Sequence, residues 1–181
     1  MDWVGPLPTT RKGNRSILHL IDYFSRFSIT KATKTNTPED TIESLKSAWA
    51  IFPAPAAIYA DPGKHYIARK VVTFVEGQGV LISFSPSGAS RPVGMVEKEN
   101  DVLQRAIMRS ASIELDEKMR EYASDHTDWD VRLPQHTRSI NSRYIDHLGY
   151  SPAEISFGCK PADMAPMELR LPTPAKAALR H

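Results

Sequence analysis

Residues 84–106 read FSPSGASRPVGMVEKENDVLQRA. An apolar stretch ends at Phe84, a loop with Gly88, Pro92 and Gly94 follows, and an amphipathic run then begins with Glu97 in its first turns. Val96, Leu103, Ile107, Ala111, Leu115, Met119 and Tyr122 recur at steps of three, four or seven, which predicts one long helix packing along that row. Glu97 falls beside the row, and Asn100, three residues on, shares its face. A strand that hands over through a loop to such a helix predicts an α/β architecture.

Two further acids stand where strands begin or stop. Asp61 lies in AIYADPGKHY, after a short apolar run and before Gly63, with 35 residues between it and Glu97. Asp2 lies in MDWVGPLP, 58 residues before Asp61. Carboxylates are hard oxygen ligands, and sets of them hold the paired divalent ions that cleave or transfer phosphodiesters. Each acid alone reads equally well as a turn former or a solvated helix residue, so the spacing and setting of all three carry the signal.

The stretches MDWVGPLP, ILHLIDYFSRF, ADPG, VGMVEKEN and GYSPAEISFG occur in this order. With the three acids, they resemble the catalytic core of integrases from retroviruses and LTR retrotransposons (Ty3/gypsy- or copia-like), of the D,D-35-E type. The resemblance implies a ribonuclease-H-like fold with a mixed five-stranded sheet flanked by helices. It further implies a metal-dependent polynucleotidyl transferase that processes DNA ends and joins strands, using two Mg²⁺ or Mn²⁺ ions. Asp2, Asp61 and Glu97 take the catalytic and metal-binding roles, and Gly63, Gly94 and Asn100 support them. DNA, as element ends and target, is the expected partner, met by Arg11, Lys12, Lys64, Arg91, Lys98 and Arg105. A homodimer or larger assembly in the nucleus is also expected. The flanking zinc module and small β-domain that the resemblance would add are not in these residues, so a fragment of an integrase is expected. The alternatives are an inactive remnant that only binds DNA or dimerises, and a nuclease of the same fold acting on RNA paired with DNA. Pro62 follows Asp61 where many relatives carry a small polar residue.

A chain of 181 residues suits one core with a tail, so residues 1–161 are read as the core and 162–181, rich in Pro and Ala, as a tail or linker. The net charge of +2 is too small to announce nucleic-acid binding by itself. One cysteine, Cys159, excludes an internal disulfide and a cysteine-based zinc cluster, which suits a reducing, intracellular setting. No apolar run approaches the ~20 residues of a spanning helix, so no membrane partner is expected.

The remaining elements follow from local pattern. Gly5, Pro6 and Pro8 break the first strand, and Gly13-Asn14 forms the tip of a basic turn. SILHLID at 16–22 reads as a strand buried on both faces, with His19 a core residue, and RFSITKATK as the next. Asp22 ranks below Asp2 as the first acid. Thr37 and Pro38 open a helix whose stripe is Ile42, Leu45, Trp49 and Phe52, ended by Pro53. AIYA is a strand, HYIARKVVTFVEGQG one helix with Ile67, Val71, Phe74 and Val75 inward, and VLISF the last strand. Trp129, Leu133, Ile140 and Tyr144 suggest a helix interrupted or started near Pro134, and Ser151 to Glu154 a capping box closed by Gly158.

Overall fold

The computed structural model describes residues 1–84, 98–105 and 128–158. Strands β1 (Asp2–Val4), β2 (Ser16–Ile21) and β3 (Ser28–Thr33) form an antiparallel sheet in that order. Asp2 lies opposite His19, and Ile21 opposite Ser28. Gly5 ends β1 at a φ of 141°, where a Cβ would stand 2.9 Å from the Arg15 carbonyl oxygen, so only glycine fits. Helix α1 (Pro38–Trp49) opens with a reciprocal capping box between Thr37 and Asp40. Strand β4 (Ala57–Ala60) then pairs in parallel with β5 (Leu81–Phe84) through the crossover helices α2 (Lys64–Ile67) and α3 (Arg69–Gly77). Residues 98–105 form helix α4, followed by α5 (Trp129–Ser142) and α6 (Pro152–Phe157).

Two buried clusters flank the sheets. Leu18, Leu45, Ile58, Ala60, Tyr66, Val71 and Val75 form the first, with Met1 at its border. Val4, Ile17, Leu103, Trp129, Leu133 and Ile140 form the second. Alternation along β2 sends Ile17 to one cluster and Leu18 to the other, both fully buried, as expected for a strand covered on both faces. Helices α1 and α3 therefore cover one face, and α4 and α5 the other.

Expectations for the helices are corrected, and the described ladders form two sheets, of three and two strands, which do not by themselves show one sheet of five. Three residues of β1 leave room for one bond towards β4, Met1 N to Tyr59 O at 2.7 Å, which is too few for a ladder. The helix expected across 65–77 is two, because Ala68 adopts an extended conformation (φ −56°, ψ 128°) between them. That break turns Tyr66 inward and leaves Ile67 47% exposed. The α1 stripe stops at Trp49, which stacks on Phe74 at 5.7 Å, and Phe52 follows the helix. Pro134 lies inside α5, which starts at Trp129, and Tyr144 is exposed beyond its end. The Ser151 capping box and the left-handed Gly158 stop are as expected. The rest of the long helix beyond 105 and the tail at 162–181 lie outside the described residues.

Candidate metal centre

The bond from Met1 N to Tyr59 O sets the relation between β1 and β4. In a parallel pair a residue donates to the one before its partner, so Met1 faces Ala60, and both belong to the first cluster. Carried one residue further, the same register would bring Asp2 level with Asp61, which follows the last residue of β4. Electrostatics agree: both carboxylates act on the Met1 amine, which burial lowers to about 6 while Asp2 and Asp61 pull it upward. Both also act on the fully buried Tyr66 phenol, held un-ionised by burial first and by the two acids next. Its hydroxyl has no hydrogen-bond partner among the described residues.

Each carboxylate is held by N–H donors. Asp2 Oδ1 accepts from the Trp3 amide at 2.8 Å, and its Oδ2 from Asn100 Nδ2 at 2.6 Å. Asp61 Oδ1 accepts from the Gly63 amide at 3.2 Å, the donor that Pro62 cannot supply. A Cβ on Gly63 would meet Asp61 Oδ1 at 3.0 Å and His65 Nε2 at 2.8 Å, so the glycine lets these two groups approach. Burial lowers the His65 pKa, and Asp61 opposes it. The His65 ring stands edge-on to Trp3 at 6.2 Å.

Behind Asp2 the bonding continues inward. Asn100 Oδ1 meets His19 Nδ1 at 2.6 Å, and His19 Nε2 meets Ser28 Oγ at 3.0 Å. Ser28 is clamped by Asn141, whose Oδ1 accepts from its N–H at 2.7 Å and whose Nδ2 donates to its carbonyl at 2.8 Å. His19, Asn100, Ser28 and Asn141 are all buried. Of these, sequence reasoning found only Asn100. A lone histidine in an apolar run carries no sign of partners 9 and 81 positions away, and only strand register brings them together.

Asp22, the competing acid, caps the β2–β3 turn, accepting from Ser25 N and Oγ at 2.7 Å each. Among the cations, Lys64 is exposed at the start of α2, Lys98 and Arg105 are exposed on α4, and Lys12 is exposed in the β1–β2 loop. Arg11 pairs with Asp128 at 3.6 Å. Glu97, Gly94 and Arg91 lie outside the described residues. Among the described residues no group of three or more His, Cys, Asp or Glu is placed to hold an ion. Asp2 and Asp61 nonetheless offer oxygen atoms only, the chemistry that suits a hard divalent cation.

These features define an α/β fold with Asp2 at the start of β1 and Asp61 just after β4. No family model matches the chain, and no curated protein matches it. Among solved structures, it is similar to the catalytic core domain of BIV integrase, with a TM-score of 0.63 and 14% identity over 86% of this chain and 90% of that one. It is also similar to a chain in the simian T-cell lymphotropic virus intasome in complex with PP2A regulatory subunit B56 gamma. There the TM-score is 0.68 at 17% identity, over 87% of this chain and 52% of that one, so this chain spans about half that length. The fold is that of an integrase catalytic core, ribonuclease-H-like. No described helix is long and apolar enough to cross a membrane.

Proposed function

We propose that this chain is the catalytic core of a DNA integrase of LTR-retrotransposon type, a polynucleotidyl transferase dependent on Mg²⁺ or Mn²⁺. The observation that carries the reading is the bond from Met1 N to Tyr59 O between the start of β1 and β4, whose register would set Asp2 beside Asp61, supported by the likeness of the fold to integrase cores. We read the two sheets as one mixed sheet in the order β3-β2-β1-β4-β5, joined at that bond. Asp2 and Asp61 would hold divalent ions, and Glu97, the residue before Lys98 in the sequence, would be the third ligand. When bound, such ions activate the attacking water or 3′-hydroxyl and offset charge on the leaving oxygen.

The chain's own residues prepare the site. The N–H groups of Trp3, Asn100 and Gly63 keep both carboxylates oriented. Tyr66, fully buried in the first cluster, lies within the electrostatic reach of both acids. Lys64 and Lys98, exposed on elements that begin near the acids, are set to meet phosphates of element ends or target DNA.

The test is metal-dependent joining of end-mimicking DNA, with Mn²⁺-induced stabilisation measured on the same protein. Wild type should join DNA and melt higher with Mn²⁺, and Asp61→Asn or Glu97→Gln should lose both while keeping the fold. Salt-sensitive DNA binding with no metal response and no joining would replace this reading with a binding-only remnant.

A further inference from the structure

We propose that His19 is a positioning residue for Asp2, acting through the Asn100 side chain and anchored from behind by Ser28 and Asn141. The inference deepens the metal-site reading and rests on Asp2 being a ligand there. Its basis is the direction of the hydrogen bonds. A primary amide is nearly symmetrical in shape, and either edge of Asn100 could face Asp2. Only the N–H₂ edge holds a carboxylate, because the C=O edge would set oxygen against oxygen.

The group behind Asn100 decides between the two. Asn100 Oδ1 lies 2.6 Å from His19 Nδ1, so that nitrogen carries the proton. In a neutral ring Nε2 is then an acceptor, and the Ser28 hydroxyl, 3.0 Å away, donates to it. Ser28 cannot drift, because both of its backbone polar groups are held by the Asn141 amide. The donors therefore run one way, from Ser28 to His19 to Asn100 to Asp2. Without the imidazole, Asn100 Oδ1 loses its donor, the amide is free to turn, and Asp2 loses a fixed N–H. A histidine that only fills the core would affect stability and leave the acid untouched.

The experiment compares wild type with His19→Leu, His19→Gln and Ser28→Ala. Circular dichroism and melting confirm folding, Mn²⁺ titration followed by melting gives the metal midpoint, and NMR follows the Asn100 side-chain amide protons in metal-free protein. His19→Leu should shift the Mn²⁺ midpoint upward by up to about 10-fold, the low end of the loss seen when a direct partner of a metal ligand is removed, because His19 acts one bond further back. Its Asn100 amide protons should lose their protection from exchange. His19→Gln, whose amide can donate to Asn100 and accept from Ser28, should restore most of both, and Ser28→Ala should move both in the same direction as His19→Leu. Should His19→Leu fail to fold, Ser28→Ala and the glutamine variant carry the comparison alone. Unchanged Asn100 protons, or an unchanged Mn²⁺ midpoint in variants whose protons do change, would overturn the proposal. A wild type indifferent to Mn²⁺, with Asn100 protons that still depend on His19, would sink the metal-site reading and leave the hold on Asp2 standing.

Discussion

The Asn100 amide on α4 donates to Asp2 on β1 at 2.6 Å, across 98 positions of sequence. This bond ties the helix that follows Glu97 to the first strand. Both ends of the amide are used, one on Asp2 and one on His19, inside a site where Asn100 is 6% exposed. Asn100→Ala leaves the His19 donor without an acceptor and removes the Asn100 donor from Asp2 Oδ2. A loss of about 1 to 3 kcal/mol is expected, the range for a buried polar group left unpaired. Urea melts of metal-free protein would measure it, and a change near zero would mean that water replaces the amide at no cost.

Packing predicts a larger effect two turns into the described structure. Leu103 is fully buried against Val4, Ile17 and Trp129. Leu103→Ala should cost about 2 to 5 kcal/mol, since transfer and cavity terms add. Val102, only partly buried beside the same cluster, should tolerate alanine better. Equal losses at both positions would show that α4 presents a different face.

How much of this could be read in the sequence differs by element. Strand β2, with four buried residues in succession, the Thr37 cap and the Ser151 capping box are local patterns, so composition and spacing sufficed. The α2–α3 break was hidden because Ala68, an excellent helix former, holds an extended conformation that only tertiary packing imposes. The places of Asp2 at the start of β1 and Asp61 just after β4 were legible from their settings. Their support was not, because Ser28, Asn141 and His19 converge through register and a helix crossing, and no local pattern encodes either.

Acid should weaken the fold through the buried histidine. Burial lowers the His19 pKa most, the Met1 amine lowers it further, and the Asn100 bond and Glu99 pull the other way. The net direction is down from 6.5, so below that pH the unfolded chain binds a proton that the folded chain refuses. Stability is then fully present above pH 6.5 and falls with pH below it. His65 and His136, also lowered by burial, add the same trend more weakly because they are less enclosed. Denaturation midpoints between pH 5 and 8 should slope upward, and His19→Gln should flatten the part below 6.5. An unaltered slope in that variant would assign the effect to the other groups.

Gly63 offers a way to disturb the site with little effect on the fold. Its φ of −65° suits any residue, so alanine brings no backbone strain. The added methyl would crowd Asp61 Oδ1 and His65 Nε2, both ends of side chains. Gly63→Ala should change stability by no more than about 0.5 kcal/mol, as for substitutions that can be relieved locally, while weakening the Mn²⁺-induced rise in melting temperature. Loss of stability with an intact metal response would show that the crowding is relieved elsewhere.

DNA binding gives the last prediction, because its salt dependence counts phosphate contacts. Each cation that neutralises a phosphate of duplex DNA adds about 0.9 to the slope of log K against log salt. Lys64 and Lys98 are exposed and sit three residues from Asp61 and two from Asn100, so both should contribute to DNA held at the acids. Arg11 is drawn to Asp128 near the start of α5 and should contribute less. Lys64→Ala and Lys98→Ala should each lower the slope by about 0.9, and together by about twice that, whatever the DNA sequence. Arg11→Ala should change it by a fraction of that amount. Binding measured from low to moderate salt would decide the matter: a full loss at Arg11 with none at Lys64 or Lys98 would move the DNA path away from Asp2 and Asp61 to the β1–β2 loop.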